Sequence, residues 1–160
     1  MRLRAGLALL LCLGGCGGGD EEAAELVAYV NNLQRFQPYN QLVEGYIAFF
    51  EAPGRPVTQA EVDAARQLID EYARAVGRID SLSFKGEGLR IAHRFYVLSC
   101  EDARQLAADS TGDAQKEART VAFGLRALRA YITGRLYPGL EVMLAYRNLD
   151  LGDSALAWPE

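Results

Sequence analysis

TQAEVDAARQLIDEYARAVGRI, residues 58–79, decides the fold. Thr58-Gln59-Ala60-Glu61 has the spacing of a capping box. A Thr hydroxyl can accept from the amide three residues on, while the Glu carboxylate reaches back to the Thr amide. Pro53-Gly54-Arg55-Pro56 punctuates the chain just before it. Val62, Ala65, Ile69, Tyr72, Val76 and Ile79 then recur at alternating intervals of three and four. That interval puts them on one stripe of a 3.6-residue helix. Asp63, Arg66, Asp70 and Arg74 fall on the other side and read as a solvated face, with Asp70 and Arg74 at favourable i,i+4 spacing.

The same period extends in both directions. Upstream, Leu26, Val30, Leu33 and Phe36 mark a shorter helix from about residue 21, broken at Gln37-Pro38-Tyr39-Asn40. Leu42, Val43, Tyr46, Ile47, Phe49 and Phe50 form a second, aromatic-rich helix that Pro53-Gly54 ends. Downstream, a fifth helix starts near Asp113, with Ser110, Thr111 or Asp113 as its cap. Its stripe is Ala118, Val121, Leu125, Leu128, Ile132 and Leu136, and Pro138 stops or kinks it. Leu140, Val142, Met143 and Tyr146 allow a last helical segment, and 149–160 reads as an irregular tail.

The fourth helix, from about Glu87 to Leu89 onward, is apolar on two sides. Ile91, Ala92, Phe95, Leu98, Ser99 and Leu106 share one, while Leu89, Val97, Cys100 and Ala107 lie roughly opposite. A helix apolar all round is normally surrounded, which predicts a place near the centre. Asp102 falls on the Phe95–Leu98 side. It is either buried against an arginine of another helix or exposed at the helix end. No segment alternates as a strand does. The expectation is an all-α compact bundle of five to six helices with no sheet.

The first residues have a different character. Met1-Arg2-Leu3-Arg4 is basic, and Ala5 to Leu13 is an unbroken apolar run of nine residues. As a helix this spans about 13 Å, less than half a bilayer core, so it has the length of a secretory signal rather than a membrane span. Leu13-Gly14-Gly15-Cys16 follows. It resembles the lipobox of bacterial lipoproteins, a class cut before an acylated cysteine. The resemblance implies cleavage between Gly15 and Cys16, lipid attachment at Cys16, and an extracytoplasmic location on the cell envelope. Gly17 after the cysteine resembles the outer-membrane default of enteric bacteria, which favours the periplasmic face of that membrane over the inner one. It further implies a signal peptide over 1–15, with an anchor and glycine leash over 16–20; the helical periodicity then gives a helical domain over 21–148 and the tail over 149–160.

Processing there removes Arg2 and Arg4 and moves the net charge from −4 to −6. A nucleic-acid partner is not expected from an acidic chain. Cys12 leaves with the signal, so Cys100 stands without an internal disulfide partner. His93 is the single histidine. It and Cys100 share a side of the fourth helix, but seven residues put them about 10.5 Å apart, too far to ligate one zinc ion. No metal site, cofactor motif, nucleophile elbow or facing carboxylate pair stands in the sequence. His93, Cys100 and Asp102 are therefore only weak candidates for chemistry. Arg119, Arg126, Arg129 and Arg135 form a possible basic flank, and Glu117 and Asp113 could balance it at the surface. The favoured function is an anchored helical module that binds or scaffolds another envelope component. The alternatives are a small-molecule or lipid binder with an apolar cavity between the second and fourth helices, and an enzyme or redox protein using His93 or Cys100.

Overall fold

The computed structural model describes residues 19–80, 83–152 and 156–159. Gly15 and Cys16, with the whole predicted signal, lie outside them. The described residues form an all-helical bundle: α1 (Gly19–Gln34), α2 (Gln37–Glu51), α3 (Gln59–Gly77), α4 (Glu87–Ala107), α5 (Ala114–Tyr131) and α6 (Tyr137–Tyr146). No strand occurs among them.

α3 forms as its spacing predicts. The Thr58 hydroxyl accepts from the Glu61 amide at 3.3 Å, and the Glu61 carboxylate accepts from the Thr58 amide at 2.8 Å. Val62, Ala65, Ile69, Tyr72 and Val76 are all buried. The opposite face differs from the expectation. Asp70 pairs across the bundle with Arg104 of α4, Nε to Oδ1 2.7 Å, while Arg74 donates to the Asp70 main-chain carbonyl. Arg66 is half-buried rather than solvated.

Gln37-Pro38-Tyr39-Asn40 is the first turn of α2, not a break. Pro38 sits at the helix start, where its missing N–H costs nothing because the first four amides have no intrahelical partner. α2 buries Asn40, Val43, Ile47 and Phe50 and leaves Leu42 exposed.

Asp113 is the cap of α5, accepting from the Gln115 and Lys116 amides at 3.1 and 3.2 Å. Asp113→Ala is expected to lower stability by about 1 kcal/mol in denaturant titration. Asp113→Asn should recover most of that loss.

Pro138 does not stop the helical run, which passes through residues 132–136 into α6. Residues 132–136 make a π turn in which the Tyr137 amide donates to the Ile132 carbonyl, five residues back. A proline ring clashes with the carbonyl four residues earlier and offers that carbonyl no donor. The wider turn absorbs both problems, and the helix resumes as α6.

α5 is the element around which the others gather, packing on α2, α3 and α4. α4 is a wall of the bundle and not its centre. Leu89, His93, Tyr96, Cys100, Ala103 and Ala107 face inward, while Phe95 and Leu98 are 55% and 47% exposed. Two small residues let α4 and α5 approach closely. A Cβ on Gly124 would lie 2.9 Å from the Ala103 carbonyl oxygen.

The described residues of the tail, 149–152 and 156–159, lack helix, as expected, yet they fold back. Leu156 is buried, Trp158 Nε1 donates to Glu44 of α2 at 2.6 Å, and Gln37 Nε2 donates to the Ala157 carbonyl at 2.6 Å.

Candidate functional site

His93 and Cys100 face the interior. His93 is 1% exposed. Its Nδ1 shares a 3.1 Å hydrogen bond with the Tyr29 hydroxyl of α1, and its ring meets Tyr29 and Phe84 edge-on. Burial holds its pKa below the usual histidine value, so the ring is neutral at physiological pH. The Cys100 thiol is buried. Burial is the first cause and the Glu101 carboxylate the second of a pKa pushed up to about 12. A thiol so disposed is not a nucleophile at neutral pH. Asp102 lies on the exposed side of α4, the second of the two placements open to it. Among the described residues, no three His, Cys, Asp or Glu side chains are grouped to hold a metal ion.

The interval between α2 and α4, where an apolar cavity was one expectation, is bridged by a tyrosine. The Tyr72 hydroxyl of α3 donates to Asn40 Oδ1 of α2 at 2.8 Å and lies 2.7 Å from the Tyr96 hydroxyl of α4. Asn40 Nδ2 in turn donates to the Tyr137 hydroxyl at 3.3 Å. Desolvation raises the Tyr72 and Tyr96 pKa values well above the ordinary phenol, so these hydroxyls stay protonated and act as hydrogen-bond links. Grooves exist nearer the surface. The larger one described, of about 490 Å³, is open and lined by Phe36, Tyr39, Phe84, Arg35 and Arg78 among others.

The strongest electrostatic feature is one that sequence reasoning missed. Glu117, expected at the surface, is 1% exposed. One carboxylate oxygen accepts from Gln59 Nε2 and from the Arg66 guanidinium, each at 2.9 Å. The other accepts from the Thr111 amide at 2.5 Å and the Gly112 amide at 2.8 Å. Arg66 Nε meanwhile donates to the Ala107 carbonyl at the end of α4, at 2.8 Å. The Gln59 hydrogen bond is the leading cause of a Glu117 pKa lowered to about 2, with the two loop amides and Arg66 adding to it against the opposing cost of burial. This cluster ties the start of α3, the end of α4 and the start of α5 together. Its donors are all satisfied by protein groups, so it is architecture and not an open site. Its side-chain partners Arg66 and Gln59 lie 51 and 58 residues from Glu117 in the chain, and no local pattern announces them.

The expected basic flank divides in two. Arg126 and Arg129 pair with Glu51 and Glu44 of α2, at 2.5 and 2.9 Å. Arg119 and Arg135 are exposed, with no ion-pair partner among the described residues.

α1 is fastened at its N-terminal end by charge. Glu21 pairs with Lys85, Glu22 pairs with Arg147 of the turn after α6, and Glu25 accepts from the Lys85 and Gly86 amides just ahead of α4. Among the described residues no helix is long and apolar enough to cross a membrane. Comparison with protein families, with curated proteins and with solved structures finds no match for the chain.

Proposed function

We propose that the chain is a lipid-anchored protein of the bacterial envelope, on the periplasmic face of the outer membrane, whose helical domain docks another envelope component. The carrying observation is the order of features at the N-terminus: Leu13-Gly14-Gly15-Cys16, then the first helix at Gly19. Acyl chains on Cys16 supply the anchor, since two or more are needed for stable attachment. Only three Cα steps of 3.8 Å separate Cys16 from Gly19, so the leash reaches about 11 Å at most. It is shorter than the predicted 16–20, because Gly19 and Asp20 already belong to α1. A domain held this close works at the membrane surface. The interior placement of His93 and Cys100 favours docking over chemistry at either residue.

Cys16→Ala tests the anchor. Membrane fractionation and metabolic palmitate labelling should both be lost, and retained labelling overturns the anchor. The docking half is tested by crosslinking and affinity recovery from solubilised envelope. Recovering the chain alone, repeatedly, counts against it.

A further inference from the structure

The tail meets α2 as an extended peptide meets a receptor. Leu156 is buried, Ala157 exposed and Trp158 half-buried, the alternation of an extended segment with one side against a surface. Two polar side chains of α2 read it. Gln37 Nε2 donates to the Ala157 main-chain carbonyl, and Glu44 accepts from the Trp158 indole N–H, both at 2.6 Å. Gln37 and Glu44 stand seven residues apart, so they lie on one face of α2, two turns from each other. Extended peptides are recognised in this way, by main-chain hydrogen bonds with alternate side chains giving the specificity.

The receiving surface stands without the tail. Arg129 of α5 donates to both carboxylate oxygens of Glu44 at 2.9 Å, so departure of the indole leaves this charge paired. The hydrogen bond between Gln37 and Ala157 is exposed, and water can replace either half of it. Undocking residues 156–159 therefore strands no buried polar group. It exposes one leucine and part of one indole. The Glu117 cluster is the opposite case, its carboxylate shut away from water. The tail is also set off from α6. Asn148 and Gly152, at φ of 54° and 78°, turn the chain between α6 and the docked residues.

We infer that α2 from Gln37 to Glu44 is a peptide-binding site, filled in cis by this chain's own tail and taken in trans by an extended segment of a partner protein. The segment has the chemistry of the tail: an apolar side chain in the place of Leu156 and, two positions on, a tryptophan whose N–H meets Glu44. The tail competes from within the same chain at a local concentration of about 1 mM, so it closes the site to weak ligands and a partner must displace it. The inference specifies the docking half of the function proposed above and rests on it; the anchor plays no part.

Trp158 is the single tryptophan, so it serves as both ligand and reporter. The test titrates the full chain carrying Leu156→Asp and Trp158→Ala into a synthetic peptide of residues 149–160, whose indole is then the only one in solution. Its emission should shift to shorter wavelength and saturate below about 1 mM. In that chain, Glu44→Ala should weaken binding about twentyfold and Gln37→Ala about fivefold, the scales of a charged and a neutral hydrogen bond. The unaltered chain should bind a fluorescein-labelled copy of the peptide at least about tenfold more weakly by anisotropy, because its own tail competes. Equal binding by the two chains overturns the cis occupancy. Trp158→Phe alone is the milder background if circular dichroism finds the first chain unfolded, and it should bind the labelled peptide more tightly than the unaltered chain does. A folded variant that leaves the peptide unbound at about 1 mM overturns the site, and envelope crosslinks that persist then leave the docking reading standing. A chain that binds the peptide yet is recovered alone from solubilised envelope keeps the site and overturns the partner. An unaltered chain that sediments as a dimer, and as a monomer with Trp158→Phe, makes a second copy the occupant and likewise overturns the partner.

Discussion

Glu117→Ala should lower the melting temperature by about 10 °C, the scale set by leaving a buried ion pair half made in a domain of this size. The substitution strands the Arg66 guanidinium, one-fifth exposed, together with Gln59 and the amides of Thr111 and Gly112. Removing one member of such a cluster leaves the others desolvated without a partner. The melting temperature of the unaltered protein should also fall on acidification, and the direction follows from linkage. Glu117 has a folded pKa lowered to about 2 from an ordinary value of 4.5. Above 4.5 the carboxylate is ionised in both states and its stabilisation is complete. As pH falls from there toward 2, the unfolded chain takes up the proton first and the stabilisation drains away. Glu117→Gln removes the titration while keeping one acceptor, so its thermal stability should be flatter across that window. Equal slopes for the two proteins, measured by circular dichroism melts, would assign the acid sensitivity to other carboxylates.

Gly124→Val should cost about 3 kcal/mol, and even Gly124→Ala about 1 kcal/mol or more, by urea titration. The sign of the alanine result is informative. Alanine in the middle of a helix ordinarily gains about 1 kcal/mol over glycine. Here the added Cβ would stand 2.9 Å from the Ala103 carbonyl oxygen, a main-chain atom, and 3.5 Å from Leu106 Cβ. Relief requires α4 and α5 to separate, which loosens Cys100, Ala103, Ala107, Val121 and Leu125 together, all buried in the core between the helices. A stabilised Gly124→Ala would show that the two helices part without loss.

The outcome at α4 shows where sequence periodicity carries information and where it stops. α3 was legible because its buried stripe is made of Val, Ile and Tyr and its other face of Asp and Arg. α5 was legible for the same reason, while its cap was narrowed only to Ser110, Thr111 or Asp113, of which Asp113 is the one used. α4 carries Phe and Leu on the side that faces water and His, Tyr, Cys and Ala on the side that faces the core. Hydrophobicity alone ranks those sides in the wrong order. The inward side is right for packing because Ala103 and Ala107 admit a close neighbour and because Tyr96 and His93 find hydroxyl partners inside. Pro38 misled because the penalty for proline depends on its position within the turn, which is known only when the helix start is known. The fate of Pro138 depended on a wider turn that no composition signals. The ion pairs were the least legible. Glu117 with Arg66, Asp70 with Arg104 and Glu44 with Arg129 are all contacts between helices, and each competes in sequence with nearer partners of the right charge. Of the weak candidates, His93 and Cys100 share one side of α4 as their spacing of seven predicts, and tertiary packing alone makes that the inward side.

The hydrogen-bonded chain through Asn40, Tyr72, Tyr96 and Tyr137 bears on how one arrangement is chosen over its rivals. Five amphipathic rods of similar length can bury their stripes in several pairings and with either sense of turn around the core, and greasy contact discriminates poorly among them. The hydroxyl chain is not indifferent. It closes only when α2, α3, α4 and the start of α6 stand at one relative height and rotation. In any shifted pairing at least one of these groups is shut away from water with nothing to bond to. The four side chains therefore act as a combination lock set into an otherwise permissive interior, and the single packing that opens it is the one the protein adopts.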